Sequence, residues 1–565
     1  MTEIAARALI GPNLYDPGPA AVAELRVPPG VDPAALPGAV LGVMASLSAA
    51  LGWPAPTLRT REFRGGLAFA APCDGARVEA TAALLERSLR RVLAPASAAD
   101  PATDVAAVAA ALAEEAPSAE LRALLEAARA RDLPIVVDDE ALTLGAGARG
   151  MTWPIDQLPE VAAVPWSALG RIPIALITGT NGKTTSARML ARVARQAGRR
   201  VGNSSTDGVA VDEVTIESGD WTGPGATRMV LRRRDVDLAA LEVARGGLLR
   251  RGLAIDRADA ALITNISDDH LGDYGVDSLA TMAAVKAVIG GVVDPRGRVV
   301  LGADSPPLRA VDRGRFTAPV VWFARSPDDA TVRAHLEGGG EAWYVADGCL
   351  VEAGPGGERP LVEVAAIPCT LGGAAAHNVL NALGVAALAR ALALPTAAIV
   401  GGLRSFASTA AENPGRINRY VVDGRKIVLD FAHNLAGIRA LAAVALHLRG
   451  AGRLTVAFGM AGDRSDAELL ALADALAELR PDRVILRDQL AHLRGRALGE
   501  VPALLRRGLL DRGLASAAIS DAADEVATLD AFLADARDGD LLLILAHTQR
   551  APVLARLEAL GAAPL

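Results

Sequence analysis

The residues with most chemical potential lie in one stretch, Gly179-Thr180-Asn181-Gly182-Lys183-Thr184-Thr185. A short apolar run, Ile172 to Ile177, precedes it and reads as a buried parallel strand. A helical pattern, Ala187 to Gln196, follows at once. A strand, a glycine-bearing turn and a helix N-terminus make an anion site, because successive backbone N–H groups and the helix dipole converge on one spot. Lys183 adds a mobile positive charge for β- and γ-phosphates, and the Thr184 hydroxyl can hold Mg²⁺. The loop is a variant of the general phosphate-loop pattern, since the residue five before Gly182 is Ile177 and not glycine. The alternative is an ordinary turn that carries Gly and Lys. The order of strand, turn and helix favours phosphate binding.

Lysine is the second signal. Among 58 Lys and Arg residues, lysine occurs only at Lys183, Lys286 and Lys426, so positions that keep it are candidates for chemistry arginine cannot perform. Lys426 falls in a predicted hairpin, Arg419 to Leu429 with a turn at Asp423-Gly424, where a solvated strand residue is the plainer reading.

The elements that must position these groups follow from an α/β alternation between about residues 166 and 410, the pattern of a doubly wound sheet. A strand from Asp235 to Leu241 ends at Glu242. Another, Ala260 to Thr264, ends at Asn265, with Asp269-His270 in the next loop. Ligands of open parallel sheets sit at the carboxyl ends of the strands, so Glu242, Asn265 and His270 should gather near the phosphates. Glu242 and His270 suit a Mg²⁺ site, although each taken alone also reads as a surface or packing residue. From about 411 a hairpin and further strands near Leu454–Phe458, Arg483–Arg487 and Asp540–Ala546 suggest a second, smaller α/β domain. Residues 1–150 carry apolar runs and two long helical patterns, the second spanning roughly Ala106 to Arg131. Asp138-Asp139-Glu140, after a short strand Leu133 to Val137, could bind a metal but reads better as a solvated strand end, and Gly145 to Pro165 reads as a linker.

Composition narrows the partners. At 565 residues about three domains are expected. Aromatic residues make up 3% and the net charge is −7, which argues against a base-stacking or polyanion surface and so against nucleic acid. Three scattered cysteines suit a reducing compartment and offer no zinc spacing. No run reaches membrane-spanning length, so no membrane partner is expected and a cytoplasmic protein is the default. A homo-oligomer is left open.

With these residues in view, the sequence resembles the Mur ligase superfamily of ATP-dependent amide-bond ligases, and more closely the Mur-ligase-like half of the cyanophycin synthetases. The resemblance rests on GTNGKTT, the Glu242 strand end, Asn265…Asp269-His270 and a lysine sixteen positions on. Further segments are Ser205-Thr206-Asp207-Gly208, Gly219-Asp220-Trp221-Thr222-Gly223 and Leu241-Glu242-Val243-Ala244-Arg245-Gly246-Gly247. In the last third they are Pro414-Gly415-Arg416-Ile417-Asn418, Asp430-Phe431-Ala432-His433-Asn434, Gly462-Asp463-Arg464 and Leu493-Arg494-Gly495-Arg496. It covers about residues 166–565. Residues 1–150 are more weakly similar to the same family's N-terminal domain, through Ile10-Gly11-Pro12-Asn13 and Leu133-Pro134-Ile135-Val136. The family's ATP-grasp domain, expected next, is absent, and Gly145 to Arg149 looks like the place where it would begin.

The resemblance implies an α/β fold: a central P-loop Mur-ligase domain (166–410) and a C-terminal Rossmann-like domain (411–565), preceded by a small α+β domain (1–150) and a linker (151–165). It implies ATP and Mg²⁺. Gly179, Thr180, Asn181, Gly182, Lys183, Thr184 and Thr185 would bind the phosphates, with Asn265 beside them, and Thr184 and Glu242 would serve a first Mg²⁺. His270 would serve a second, assisted by a carbamoylated Lys286; without the resemblance Lys286 reads as a helical surface lysine. Asn378 resembles an adenine contact, Arg416 and Asp430 resemble nucleotide-binding residues from the C-terminal domain, and His433 would lie near the reacting phosphate or amine. The implied reaction joins an amino acid to a carboxylate of a peptide or polymer, with a separate ATP-grasp protein as a candidate partner. A peptidoglycan- or folate-type ligase and a non-catalytic ATP- or polymer-binding protein are the competing readings.

Overall fold

The computed structural model describes residues 4–94, 100–269 and 271–565. Four sheets organise them. The first is antiparallel, with strands in the order Arg7–Leu9, Ala20–Arg26, Gly66–Pro72 and Arg59–Phe63. Helices Leu36–Ala50, Val78–Leu93 and Pro101–Glu115 cover it, and Phe69, Leu85 and Val108 are buried between the layers. This is the small α+β unit expected at the N-terminus.

The helical pattern over Ala106–Arg131 resolves into two helices, Pro101–Glu115 and Ala119–Arg129. Pro117 cannot continue a helix, and Ser118 caps the second one by accepting from Leu121 N at 3.1 Å. The stretch 151–165 is structured and is not a bare linker. Met151–Pro154 pairs with Ala141–Leu144, which pairs with Ile135–Val137 in a three-stranded antiparallel sheet. Trp153, Ile155, Leu158, Val161 and Trp166 pack with Leu124 and Ala128 of the preceding helix, so their apolar side chains fix what the proline content alone reads as loose. Asp138 pairs with Arg228 and Arg232, docking this sheet on the central domain.

The central sheet has eleven strands. Seven run parallel, in the order Val201–Ser205, Leu238–Glu242, Ile174–Thr178, Ala258–Ile263, Val293–Gly302, Val320–Phe323 and Glu341–Ala346, and an antiparallel hairpin extends each edge. Strands buried on both faces need continuous apolar sequence, and Ile174–Thr178 is buried at all five positions. Lys183–Gln196 and Ala376–Ala391 pack on one face, sharing a core with Ile177, Leu262 and Phe323. The C-terminal sheet has seven strands, five of them parallel: Ile519–Asp521, Arg483–Leu486, Leu454–Phe458, Leu541–Leu545 and Arg425–Asp430. The hairpin Asn418–Val422/Arg425–Asp430 turns at Asp423-Gly424 as expected, with φ of 44° and 76° there.

Candidate active site at the junction of the two large sheets

Strand Ile174–Thr178 delivers the phosphate loop, and helix Lys183–Gln196 leaves it. Gly182 sits at the helix N-cap with φ +84°, and a side chain there would run into the Asn381 carboxamide. Glycine is therefore required twice, for conformation and for space. The N–H groups of the first helical turn have no intrahelical partner and mark an anion-binding end. Asn265 does not point freely at that spot. Its Oδ1 accepts from Asn181 N at 3.0 Å, its Nδ2 donates to Asn181 O at 3.1 Å, and its own carbonyl accepts from Thr180 N at 2.8 Å. It shapes the loop, as does Thr264, whose Oγ1 donates to Asn181 O at 2.6 Å. Lys183 Nζ donates to Thr180 O at 2.9 Å across the mouth of the loop.

Glu242 ends the neighbouring strand and is 2% exposed. Its Oε2 accepts from Thr184 Oγ1 at 2.8 Å and from Thr206 N at 3.4 Å, while Oε1 is buried with no hydrogen-bond partner among the described residues. Burial pushes this carboxyl above the usual range, and Lys183 pulls it back. A carboxylate oxygen left bare beside a Thr hydroxyl and a phosphate loop is the donor set that Mg²⁺ uses, since that ion takes one or two carboxylates plus phosphate and water oxygens. The residues present therefore fit Mg²⁺. Among the described residues no three His, Cys, Asp or Glu side chains converge to cage a metal by themselves. His270 lies outside the described residues.

Lys286 is not a surface lysine. It is 4% exposed, and its Nζ donates to Gly179 O at 2.8 Å on the inner side of the loop. Burial takes its ammonium well below the usual lysine range, and Lys183 adds to the shift.

The C-terminal domain closes over this edge. Arg416, Asp430 and His433 line the same cleft, about 330 Å³ in volume, as the loop, Glu242 and Asn378. Arg416 lies 4.6 Å over the Phe431 ring. Asp430 Oδ1 accepts from Ala432 N at 2.8 Å and Oδ2 from Ile417 N at 2.9 Å, so both of its oxygens hold backbone. Asn378 is buried, with Nδ2 donating to Cys369 O at 2.9 Å and Oδ1 accepting from Asn381 Nδ2 at 3.1 Å. His433 Nε2 lies 3.6 Å from Asp269 Oδ2, and Arg464 Nη2 donates to Asp269 Oδ1 at 2.9 Å.

Several contacts that join the two halves are not foreseen by the sequence reading, although it names Asn181 and Thr185 in the loop. Asn181 and Asn434 exchange carboxamide hydrogen bonds at 3.3 and 3.0 Å, directly linking the loop to the second domain. Asn434 also N-caps helix Leu435–Arg449, and Asn before an apolar helical run is a signal visible in sequence. Buried Asn413 donates to Thr185 Oγ1 at 3.1 Å, and Arg550 donates to Asp207 Oδ1 at 2.6 Å. These pairs depend on how two domains meet and have no local sequence signature.

A P-loop on a parallel sheet, roofed by a second α/β domain that brings Arg416 and His433 into the same cleft, is an architecture of the Mur-ligase type. Comparison with known proteins gives the particular family: residues 177–389 match the Mur ligase middle domain and residues 415–548 match the Mur ligase, glutamate ligase domain. Together these span more than half of the chain, which belongs to the Mur ligase superfamily. It is 37% identical over 380 residues to cyanophycin synthetase of Synechocystis sp., covering 67% of this chain and 43% of that protein. The chain thus spans less than half the length of that relative. It is 30% identical to UDP-N-acetylmuramoyl-L-alanyl-D-glutamate–2,6-diaminopimelate ligase of Alkalilimnicola ehrlichii, over 58% of this chain and 64% of that one. The solved structure of E. coli FolC in complex with DHPP and ADP shares the fold, with a TM-score of 0.52 at 20% identity over 68% of this chain and 89% of that one.

Proposed function

We propose that the protein is an ATP-dependent carboxylate–amine ligase that works through an acyl phosphate, adding arginine or another amino acid to an aspartate-type carboxylate in cyanophycin-like metabolism. The observation that carries this is the buried, unpartnered Glu242 Oε1 beside Thr184 at the phosphate loop. A carboxylate is a poor electrophile, so its oxygen must first take the γ-phosphoryl group of ATP. Lys183 and the first-turn amides of the loop would hold the β- and γ-phosphates as charge moves onto ADP. Arg416 and Asn378 would orient the nucleotide, with Asp430 bracing the segment that carries Arg416. Thr184 and Glu242 would hold Mg²⁺, which neutralises phosphate charge when bound. Lys286 would serve as a carbamate assisting a second Mg²⁺, for which His270 would be a ligand.

A neutral amine then attacks the acyl carbon and phosphate leaves. His433, which lines the cleft, would lie near that amine or the departing phosphate. Water would destroy the acyl phosphate, and the Asn181–Asn434 pair supports a closed arrangement that excludes it. A separate ATP-grasp protein is proposed as the source of the carboxylate acceptor. The test is a phosphate-release screen of amino acids crossed with aspartate-containing peptides and other carboxylate acceptors, with mass spectrometry of the products. An amide product with arginine and an aspartyl acceptor is expected. ATP hydrolysis uncoupled from every acceptor, or no turnover, would overturn the reading.

A further inference from the structure

We propose that the N-terminal four-stranded sheet is a positioning element of the active site, holding through Arg61 the loop 272–278 that leads into the Lys286 helix. This rests on the ligase reading above. The loop needs an outside support. Tyr274 has φ +53° and Gly275 φ +66°, two consecutive left-handed residues, and a tyrosine persists there only where its surroundings impose the conformation. After them Ser278 caps helix Leu279–Ala287, accepting from Thr281 N at 3.2 Å, and that helix carries Lys286 to Gly179 O. The loop's backbone path thus fixes where the helix starts.

The support comes from an edge strand of the N-terminal sheet, Arg59–Phe63. Arg61 Nη1 donates to Gly275 O at 2.8 Å and Nη2 to Tyr274 O at 3.4 Å, so one planar guanidinium spans both left-handed residues. The Phe63 ring lies where a side chain on Gly275 would go, and Arg7 stacks 4.7 Å over the Tyr274 ring. From the other side, Arg245 pairs with Asp273 at 2.8 Å.

A sheet can brace a loop only if it is itself fixed to the same body. Ile10 N donates to Arg251 O and Leu253 N to Pro12 O, both at 2.9 Å, and Arg315 donates to the carbonyls of Asn13 and Leu14 at 3.0 Å. The N-terminal unit is therefore stitched by backbone to the central domain rather than tethered beside it. These contacts give a part of the chain outside both matched family domains a role in the geometry of the cleft.

The test uses the full chain with Arg61→Ala and Arg61→Lys, comparing amide hydrogen exchange over residues 272–287 with steady-state kinetics. In Arg61→Ala, exchange over 272–277 should rise while kcat falls roughly ten- to a hundredfold, as a small misplacement near the chemistry does. The KM for ATP and the thermal midpoint should stay near the parent's, because the nucleotide contacts lie on other elements. Arg61→Lys, which can reach one carbonyl but not bridge two, should fall between. Parent-like exchange, or faster exchange with parent-like kcat, would overturn the proposal. Should Arg61→Ala lower the thermal midpoint of the whole chain, Gly275→Ala, which lifts the loop off Phe63, must reproduce the split between kcat and KM or the proposal fails. If the parent itself shows no ATP-dependent turnover, the ligase reading fails and exchange alone decides the brace: faster exchange over 272–277 upholds it, and unchanged exchange overturns it.

Discussion

Glu242 and Asp430 are each the last residue of a parallel strand, one in each large sheet, and burial raises both carboxyls above their usual range. Their surroundings nevertheless differ. Asp430 spends both oxygens on backbone N–H groups of Ile417 and Ala432, which fixes the chain where it enters the hairpin and where it leaves it. Glu242 has one oxygen on Thr184 and Thr206 and the other on nothing among the described residues. A buried carboxylate is tolerated when its lone pairs are filled. Asp430 is filled by its own domain, whereas Glu242 keeps one oxygen free for the cation proposed above. Burial alone does not distinguish a structural acid from a functional one; the unfilled oxygen does.

The strongest way to break this contrast is Glu242→Gln. If Oε1 serves a cation that stabilises phosphate charge, losing the carboxylate removes several kcal/mol of transition-state stabilisation, and phosphate release should fall roughly 10²–10³-fold. The thermal midpoint measured without Mg²⁺ should not drop, because the amide replaces a buried, half-paired charge. Near-parent turnover would return Glu242 to the structural class.

Lys286→Arg comes next. Arginine cannot form a carbamate and stays charged at any working pH, and the pocket that holds Lys286 is buried beside Lys183. Turnover should fall by roughly a hundredfold, in line with losing a group that acts on the transition state, and bicarbonate or a short carboxylic acid should partly restore Lys286→Ala. Parent-like turnover of Lys286→Arg in CO₂-replete buffer would reduce the residue to its hydrogen bond with Gly179.

Asp430→Asn should act on stability before chemistry. One amide oxygen cannot replace two acceptors, and an N–H would face an N–H, a mismatch worth about 1–3 kcal/mol. Urea unfolding should report that loss while turnover falls less than in Glu242→Gln. The opposite ranking, with stability intact and turnover lost, would sharpen the comparison by making Asp430 a direct nucleotide ligand.

How much of this was readable beforehand varies with distance along the chain. The loop, the strand ending at Glu242 and the hairpin at Asp423-Gly424 are local patterns, and the sequence reading places them within a few residues. The break at Pro117-Ser118 was also local but was hidden by alanine-rich periodicity on both sides. The stretch 151–165 reads as a linker because its three prolines and the glycines just before it outweigh Met151, Trp153 and Ile155, whose period-two spacing is a strand signal. Asn265 was assigned to the right edge but not to its task, since loop shaping depends on which way a carboxamide turns. The Asn181–Asn434 pair joins residues 253 positions apart, and no spacing rule reaches across two domains. The burial of Lys286 is of the same kind, because the helix that carries it shows no apolar stripe that would place a lysine inside.

The smallest effect is expected from Lys426→Arg, which tests whether rare lysines mark chemistry by themselves. Lys426 makes the same bond as Lys286, Nζ to a backbone carbonyl at 2.8 Å, here Leu448 O. That carbonyl lies at the end of helix Leu435–Arg449, where the helix dipole favours a cation, and the lysine is half-buried with solvent in reach. A guanidinium can donate to the same carbonyl and keep the same charge, so stability should change by no more than about 0.5 kcal/mol and phosphate release should match the parent. The pair of substitutions therefore holds the hydrogen bond constant and varies only the setting. If Lys426→Arg lowers turnover as much as Lys286→Arg, the setting is irrelevant and lysine scarcity carries no information about the site. If only Lys286→Arg does, the difference lies in burial beside the phosphate loop, where an amine can lose its proton and a guanidinium cannot.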